Sequence, residues 1–260
     1  MKKLQYIKIA EFAGRGGPNK PTVSRGDRYP PTPTTMGRYV IASIDWFSSK
    51  RYHYWSAVRW GTPMRVINGV VQINPAGNWI DLSKFNNDRN GMSESEIKED
   101  IENYCSQLYS SATTTKVPGT VPNKWVLDDF GHTTIQYFTD LNGNFELDKN
   151  EYTVGDMVHT TPVNEISTTL EKPFDLKESH GCIHVRPADI DTMIKSGFVK
   201  KGQVIEVHSY TELTYPLTFE RTFGREPYEF HFFPGCEIQA PGSTTGRNKG
   251  AVIIYAVHQL

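Results

Sequence analysis

Short apolar runs separated by turn-forming residues fill the chain from residue 38 onward. The runs rich in β-branched and aromatic residues predict strands, and they are RYVIASIDW (38–46), YHYWSAVRW (52–60), TTIQYF (133–138), YTVGDMVHT (152–160), QVIEVHSY (203–210), YEFHFF (228–233) and GAVIIYAV (250–257). MRVI and VVQI predict a hairpin, because the Asn68-Gly69 dipeptide between them favours a two-residue turn. The pattern therefore predicts a fold made mainly of short strands.

Two other stretches carry the apolar spacing of a helix. Ser93 and Glu96 form the signature of a capping box. The apolar residues after it recur at helical spacing, and they are Ile97, Ile101, Tyr104, Cys105 and Leu108. Pro187 suits a first helical turn and Gly197 suits the end of that helix. We predict a β-rich α+β fold with a few capping helices, one of them an insertion around residues 92–110.

The first 35 residues differ from the rest in their content of structure breakers. They contain Gly14, Gly16, Gly17, Pro18, Pro21, Pro30, Pro31 and Pro33. Because glycine and proline interrupt regular structure, residues 1–35 are predicted to be an irregular N-terminal arm. Residues 36–260 are predicted to form one domain.

The composition of the chain limits which binding partners and which cellular compartment we expect for it. The formal net charge is −1, so we expect no nucleic-acid partner. No apolar stretch approaches the ~20 residues that a membrane span needs, and polar residues interrupt the N-terminal segment where a signal peptide would have its apolar centre. The three cysteines cannot all pair with one another, so at least one thiol is free in a monomer.

The segment KESHGCIHVRP (177–187) concentrates reactive side chains. His180, Cys182 and His184 alternate along it, and alternate residues of a strand share a face. Histidine and cysteine side chains are both possible zinc ligands, but structural zinc sites usually draw on paired Cys or His units, and Cys105 and Cys236 have no such partner beside them. The sequence therefore favours Cys182 as a nucleophile, with no metal and no cofactor.

A cysteine nucleophile needs a base that can remove its proton, because little thiolate is present at neutral pH. His180 is poorly placed for this, since a neighbour two residues away has little freedom to reach the sulfur. His159 ends an apolar strand-like run and is the better candidate. Gly181 would allow a sharp turn in which consecutive backbone N–H groups form an oxyanion hole.

A second segment, DLNGNFELDKNE (140–151), allows two interpretations. Its oxygen-bearing side chains have the spacing of a calcium-binding loop, although Phe145 stands where such loops have glycine. A turn at Asn142-Gly143 with solvated acids around it explains the run as well. We favour the turn, because a single match to such a loop is weakly specific.

Two motifs together resemble the signature of the L,D-transpeptidases of the ErfK/YkuD type. They are Val158-His159-Thr160-Thr161-Pro162 and Ser179-His180-Gly181-Cys182-Ile183. The segment from Thr32 to Ile41 is also similar to the strand with which that domain begins. The resemblance covers roughly residues 30–210. It implies a β-sandwich with a few capping helices and an enzyme that remodels peptidoglycan without a cofactor.

In that family a cysteine attacks a stem tetrapeptide, an acyl-enzyme forms, and an amine or water then takes the acyl group. The resemblance implies that Cys182 is the nucleophile and His159 the base. It further implies that the N–H groups of Gly181 and Cys182, with that of His180, form the oxyanion hole. The Thr160 carbonyl would orient His159. Ser179 and His180 would shape the site.

The chain departs from the family pattern at His184, which stands where an Asn or Arg is usual. We therefore expect His184 and Arg186 to be the substrate-binding residues, with Arg186 supplying a cation for a substrate carboxylate. The expected partners are peptidoglycan stem peptides, and the implied location is the periplasm or cell envelope. Two alternatives stay open: an inactive peptidoglycan-binding relative, and an antibacterial effector delivered by a secretion machinery.

Overall fold

The computed structural model describes residues 3–22, 30–48, 54–85 and 91–260. In chain order the elements are β1 (Leu4–Arg15), β2 (Gly37–Asp45), a 3-10 turn (Tyr54–Ala57), β3 (Met64–Ile67), β4 (Val70–Ile73), β5 (Ile80–Asp81), α1 (Leu82–Phe85), α2 (Glu94–Thr113), β6 (Thr134–Phe138), β7 (Thr153–His159), α3 (Pro162–Thr169), β8 (Ile183–Val185), α4 (Pro187–Lys195), β9 (Val204–Val207), β10 (Thr218–Arg221), β11 (Tyr228–Gln239) and β12 (Arg247–Gln259). The predicted β-rich α+β class is confirmed.

The chain divides into two units. The first consists of Met1–Asp45, Thr134–His159 and Pro173–Leu260, and the second of Trp46–Thr133 and Thr160–Lys172. The predicted boundary at residue 35 therefore does not separate them, and the first unit is built from three separate stretches of chain. No helix among the described residues has the length and apolar character to cross a lipid bilayer.

The strands of the first unit form one mixed sheet in the order β10-β1-β12-β11-β9-β2-β6-β7-β8. β1 pairs with β12 along most of its length, and its last residues also pair with β8, Gly14 opposite Val185 and Arg15 opposite His184. Because the strand near one end of the order pairs with the strand at the other end, the sheet closes on itself. Its inner side chains surround one core that includes Ile41, Val158 and Ile183.

The predicted irregular arm is wrong for Leu4–Arg15, which form the 12-residue strand β1. The breakers of this region begin only at Gly14, and the preceding LQYIKIAEFA has strand-like composition. Pairing with β12 on one edge and with β10 and β8 on the other satisfies its backbone groups. Residues 30–36 do lack regular structure, while residues 1–2 and 23–29 lie outside the described part of the chain.

In the second unit, three predictions from local pattern can be compared with the structure. β3 and β4 form the predicted hairpin, with Asn68 and Gly69 at φ of 51° and 82°. The capping box at Ser93 is present, and α2 runs to Thr113 with Cys105 on its buried face. The predicted strand 52–60 is wrong in its described part, because Tyr54–Ala57 form a 3-10 turn in which Trp55 stacks on Tyr104.

Candidate functional site

The strands β7 and β8 lie side by side and bring the two sequence motifs together. They pair in parallel, with Val158 opposite Ile183 and His159 opposite His184. Val158 and Ile183 are fully buried in the core. The neighbouring residues therefore face the other way, and the rings of His159 and His184 meet edge to face at 4.9 Å between centroids.

Cys182 directly precedes β8, next to Met157 of β7. The Met157 backbone N–H donates a hydrogen bond to the Cys182 sulfur. His159 lies two residues further along β7, so the usual strand spacing puts the Cα atoms of Cys182 and His159 roughly 8 Å apart, with both side chains on the same face. A thiol and an imidazole can span that separation. The pairing of β7 with β8 therefore brings the two motifs, which are distant in sequence, onto adjacent strands.

The loop before Cys182 is fastened by the hydroxyl of Ser179. This buried hydroxyl donates to the carbonyl of Cys182 and accepts the N–H of Gly181 at 3.1 Å. Gly181 has a φ of +141°, and a Cβ on it would overlap the carboxylate of Asp156. Glycine is therefore needed for both its backbone angle and its lack of a side chain.

The predicted oxyanion hole needs a correction at Gly181. Its N–H group is engaged by Ser179, so it does not point freely at a substrate oxygen. The Ser179 hydroxyl instead holds this loop by engaging one of the N–H donors that the resemblance assigned to the substrate. His180 lies at the exposed tip of the loop, where its carbonyl accepts the Thr32 hydroxyl at 3.0 Å.

One wall beside this loop is formed by residues that were not predicted to belong to the site, namely Gly16, Gly17, Thr34 and Tyr210. The N–H of Ser179 donates to the carbonyl of Gly16 at 3.1 Å. The N–H of Gly17 donates to the Thr34 hydroxyl at 3.0 Å, and the Tyr210 hydroxyl donates to the carbonyl of Gly17 at 2.9 Å. In the sequence, the Gly16-Gly17 pair is the feature that could have indicated this close packing. Such a pair equally predicts irregular structure, which is the prediction made above for residues 1–35.

We expect Gly17→Ala to destabilise this wall, because the added Cβ would overlap the backbone carbonyl oxygen of Thr32. Overpacking of this kind typically lowers the free energy of unfolding by about 1–3 kcal/mol. Urea denaturation measures the change. Gly155→Ala is the matched control, because a Cβ at that glycine meets open space. Equal stability of the Gly17→Ala variant and wild type would contradict the described packing.

The two predicted substrate-binding residues are both tied to the segment that precedes the loop. His184 Nδ1 lies 2.8 Å from the carbonyl of Lys177, so this nitrogen carries the proton and Nε2 carries the lone pair. Burial lowers the pKa of His184, which keeps the ring neutral. Arg186 Nη2 donates to the carbonyl of Phe174 at 3.1 Å, and its guanidinium lies 4.9 Å above the Phe174 ring centroid.

Thr160 belongs to the second unit, where its side chain has a structural role. Its hydroxyl donates to the carboxylate of Glu165, which also lies 2.6 Å from Nδ1 of His132. The next residue, Thr161, caps α3 by accepting the N–H of Asn164 at 3.3 Å. The orienting role of the Thr160 carbonyl stays a prediction.

The electrostatic surroundings of Cys182 keep its thiol protonated. Burial, together with the Asp156 carboxylate, raises the pKa of Cys182 to about 12, although the hydrogen bond from Met157 acts in the opposite direction. The folded-state pKa therefore exceeds the ordinary value of 9.0. A thiolate at rest is disfavoured, so any nucleophilic role requires a base that removes the proton as the sulfur attacks.

This shift predicts how alkylation of Cys182 depends on pH. Only the thiolate reacts with iodoacetamide, so the rate should keep rising above pH 9 towards about pH 12. By the same linkage, the contribution of the neutral thiol to stability is complete below pH 9 and declines between pH 9 and about 12. Peptide mass mapping of alkylated Cys182 measures the rate. A plateau below pH 8 would indicate a resting thiolate–imidazolium pair instead.

The structure does not bring His180, Cys182 and His184 together as a group of three candidate ligand atoms. Among the described residues, a different group brings three candidate ligand atoms within 4.8 Å of one another, namely Glu206, His208 and His231. Each of these histidines lies in a strand-like run, His208 in QVIEVHSY and His231 in YEFHFF. No motif joins them, because their proximity depends on the parallel pairing of β9 with β11.

Burial and neighbouring charges strongly shift the pKa values of Glu206 and His208 in this second group. Burial opposes ionisation of Glu206, but hydrogen bonds from Arg221 and the neighbouring charges hold its pKa at about 2. Burial, together with the adjacent His231, lowers the pKa of His208 to about 4. A cavity of about 300 Å³ opens beside Glu206, His208 and Arg221.

The loop 140–151 has neither the two-residue turn nor the helices of an EF-hand. It joins β6 to β7, and its side-chain oxygens accept backbone N–H groups of the same loop. Asp140 accepts from Gly143 at 2.7 Å and from Phe145 at 2.9 Å, while Glu151 accepts from Leu141 at 2.7 Å. β6 and β7 pair antiparallel on either side of this loop, so they do form a hairpin, but a long loop joins them and not a short turn at Asn142-Gly143.

Searches of this chain against protein-family models, curated proteins and solved structures give no match. The interpretation of the site therefore depends on its own residues and on the motif resemblance.

Proposed function

We propose that the protein is a cysteine acyltransferase of the L,D-transpeptidase type that acts on peptidoglycan stem peptides. The observation that carries the proposal is the parallel pairing of β7 with β8, with His159 ending the first strand and Cys182 preceding the second. These are the two residues that the motifs assign to base and nucleophile. The shared face, the adjoining glycine turn and the protonated resting thiol suit a cysteine that is activated only when substrate is bound.

The proposed reaction begins as His159 takes the thiol proton and the Cys182 sulfur attacks the carbonyl carbon of the L-centre residue. A tetrahedral intermediate forms, the peptide bond breaks, and the departing D-alanine amine takes the proton from His159. A thioester remains on Cys182. An acceptor amine then gives a proton to His159 and attacks the thioester, and the sulfur leaves with that proton. Water in place of the amine gives L,D-carboxypeptidation.

The developing oxyanion needs donors that are not already engaged. In this proposal the backbone N–H of Cys182 is the main donor, because the Gly181 N–H is held by Ser179. The carboxylate of Asp156, which accepts the Thr35 N–H at 2.9 Å, lies against Gly181. Its negative charge would disfavour an oxyanion nearby. Substrate is therefore expected to place its carbonyl oxygen on the side of the loop away from Asp156.

The transpeptidase-like organisation of the fold is part of the same proposal. A sheet that closes on itself has two halves facing each other across one core, as the layers of a sandwich do. The supporting observation is the single core shared by side chains of β2, β6 and β7 and by side chains of β11 and β12. The extracytoplasmic location is likewise proposed from the substrate class, with delivery as an antibacterial effector as one route.

Digestion of purified muropeptides followed by mass analysis tests the proposal. Loss of D-alanine from tetrapeptide stems supports carboxypeptidation, and cross-linked products that retain the L-centre linkage support transpeptidation. Retention on cell-wall material without turnover would favour the inactive binding relative. A turnover that a chelator abolishes would favour a zinc hydrolase. Turnover that resists a chelator and disappears in Cys182→Ala supports the cysteine mechanism.

A further inference from the structure

Two histidines of the first unit face each other through one nitrogen each. His208 Nε2 lies 2.9 Å from His231 Nδ1. Their outer nitrogens contact carboxylates, because His208 Nδ1 is 3.1 Å from Glu212 Oε2 and His231 Nε2 is 3.3 Å from Glu229 Oε2. The four side chains therefore form a row in which carboxylate, imidazole, imidazole and carboxylate follow one another.

Two neutral imidazoles cannot satisfy this row by themselves. A carboxylate only accepts hydrogen bonds, so each outer contact requires the proton of the facing ring nitrogen. Each neutral ring carries one proton, and both protons are then used on Glu212 and Glu229. The nitrogens that face each other at 2.9 Å are left with lone pairs pointing at one another. That contact is repulsive unless an additional proton or a metal cation lies between the two nitrogens.

The residues around this row supply a third candidate ligand, Glu206, and a net negative charge. Glu206 oxygens lie 3.9 Å from His208 Nε2 and 3.8 Å from His231 Nδ1. The row and Glu206 carry three carboxylates, whereas the guanidiniums of Arg38 and Arg221 bind two of them, Glu206 and Glu229. One negative charge remains uncompensated by these two guanidiniums, and a cation at the nitrogens would offset it.

The distances suit a small transition-metal ion. Two ligands bound tetrahedrally at ~2.0–2.1 Å lie about 3.4 Å apart. The two nitrogens here are 2.9 Å apart, and Oε1 and Oε2 of Glu206 lie 3.9 Å from His208 Nε2 and 3.8 Å from His231 Nδ1, respectively. One candidate atom from each residue lies within 4.8 Å of the other two. Aromatic packing fixes both rings, since His208 stacks on Phe233 and His231 meets Tyr255 edge to face. The adjoining cavity of about 300 Å³ leaves room for a fourth ligand such as water.

We propose that Glu206, His208 and His231 bind a divalent transition-metal ion of the Zn²⁺ class, with Glu212 and Glu229 orienting the two imidazoles through their outer N–H groups. Two imidazole nitrogens and one carboxylate oxygen form a donor set that suits zinc better than it suits calcium or magnesium. Carboxylate-to-histidine contacts of this kind fix the ring tautomer at zinc sites. The site is independent of the proposed acyl transfer, because it uses neither Cys182 nor His159.

Zn²⁺ titration of chelator-treated protein against a chromophoric competitor tests the proposal. Wild type should bind one Zn²⁺ per chain, and Co²⁺ should give the visible absorption of a tetrahedral complex. His208→Gln should weaken Zn²⁺ binding at least 100-fold. Because a buried substitution can affect folding, Glu212→Gln serves as the second variant. The Glu212 side chain is 45% exposed, and replacing its carboxylate with a neutral amide at this outer contact should weaken binding by about tenfold.

Two controls separate this site from other zinc ligands on the chain. His258→Gln changes an exposed histidine and should bind Zn²⁺ as wild type does. Cys182→Ala should also retain full binding, so failure of the acyl-transfer proposal leaves this test intact. Zn²⁺ binding that is equal in wild type, His208→Gln and Glu212→Gln would overturn the proposal. So would nitrogen-15 NMR spectra in which a proton stays shared between the two rings when Zn²⁺ is present in excess.

Discussion

Cys182→Ala is expected to abolish covalent capture of a tetrapeptide stem and to lower turnover at least 10³-fold, because no other atom of the site can form the thioester. Intact mass spectrometry after incubation with a tetrapeptide or a carbapenem measures capture. Wild type should gain the mass of one acyl group, and the variant should gain none. The backbone of the loop should persist in the variant, since Ser179 fastens it through backbone atoms of Gly181 and Cys182.

Cys236→Ser provides the matched control for this experiment. Cys236 is also a buried thiol, with a pKa raised by burial to about 11, and its sulfur contacts the carbonyl of Glu212 at 3.6 Å. Its replacement should leave both adduct mass and turnover within twofold of wild type. An adduct that persists in Cys182→Ala, or wild-type protein that stays unmodified while it consumes substrate, would remove Cys182 from the mechanism.

His159→Gln should lower turnover by 10²- to 10⁴-fold, the usual effect of losing a general base. The pKa of about 12 for Cys182 means that nearly all of the thiol is protonated at neutral pH, so attack without a base is slow. Activity of the variant should recover as the pH rises towards that pKa, since hydroxide then supplies the thiolate. The measurement is kcat over KM between pH 6 and 10.

Matched changes at the other two histidines show whether the effect is specific. His184 packs edge to face on His159 and its Nδ1 proton is held by Lys177, so His184→Gln should reduce turnover about tenfold through loss of positioning. His180 is exposed, and His180→Gln should cost less than threefold. If His184→Gln is the most damaging of the three and its remaining activity recovers with pH, then His184 is the base.

Local pattern determined the elements whose stability depends on neighbours in sequence. The hairpin at Asn68-Gly69 needs two residues that tolerate positive φ, and both are adjacent in the chain. The helix after Ser93 needs a cap three residues from its partner and an apolar stripe at helical spacing. Such interactions are short in range, so the sequence predicted them together with the β-rich α+β class.

Pairing between distant strands decided what the sequence did not reveal. β1 is a strand because β12, β10 and β8 satisfy its backbone groups, and none of them adjoins it in sequence. The two motifs lie on adjacent strands because β7 and β8 pair in parallel, and sequence analysis implied this only through the resemblance.

The sequence by itself determined which side chains are chemically able to act, including the thiol of Cys182 and the imidazole of His159. Only the tertiary structure decided which groups are engaged, such as the Gly181 N–H held by Ser179, and which histidines face one another, such as His208 and His231. The physical reason is that hydrogen bonding and the facing of lone pairs depend on ångström-scale register between strands. Sequence spacing does not encode that register when the strands are far apart in the chain.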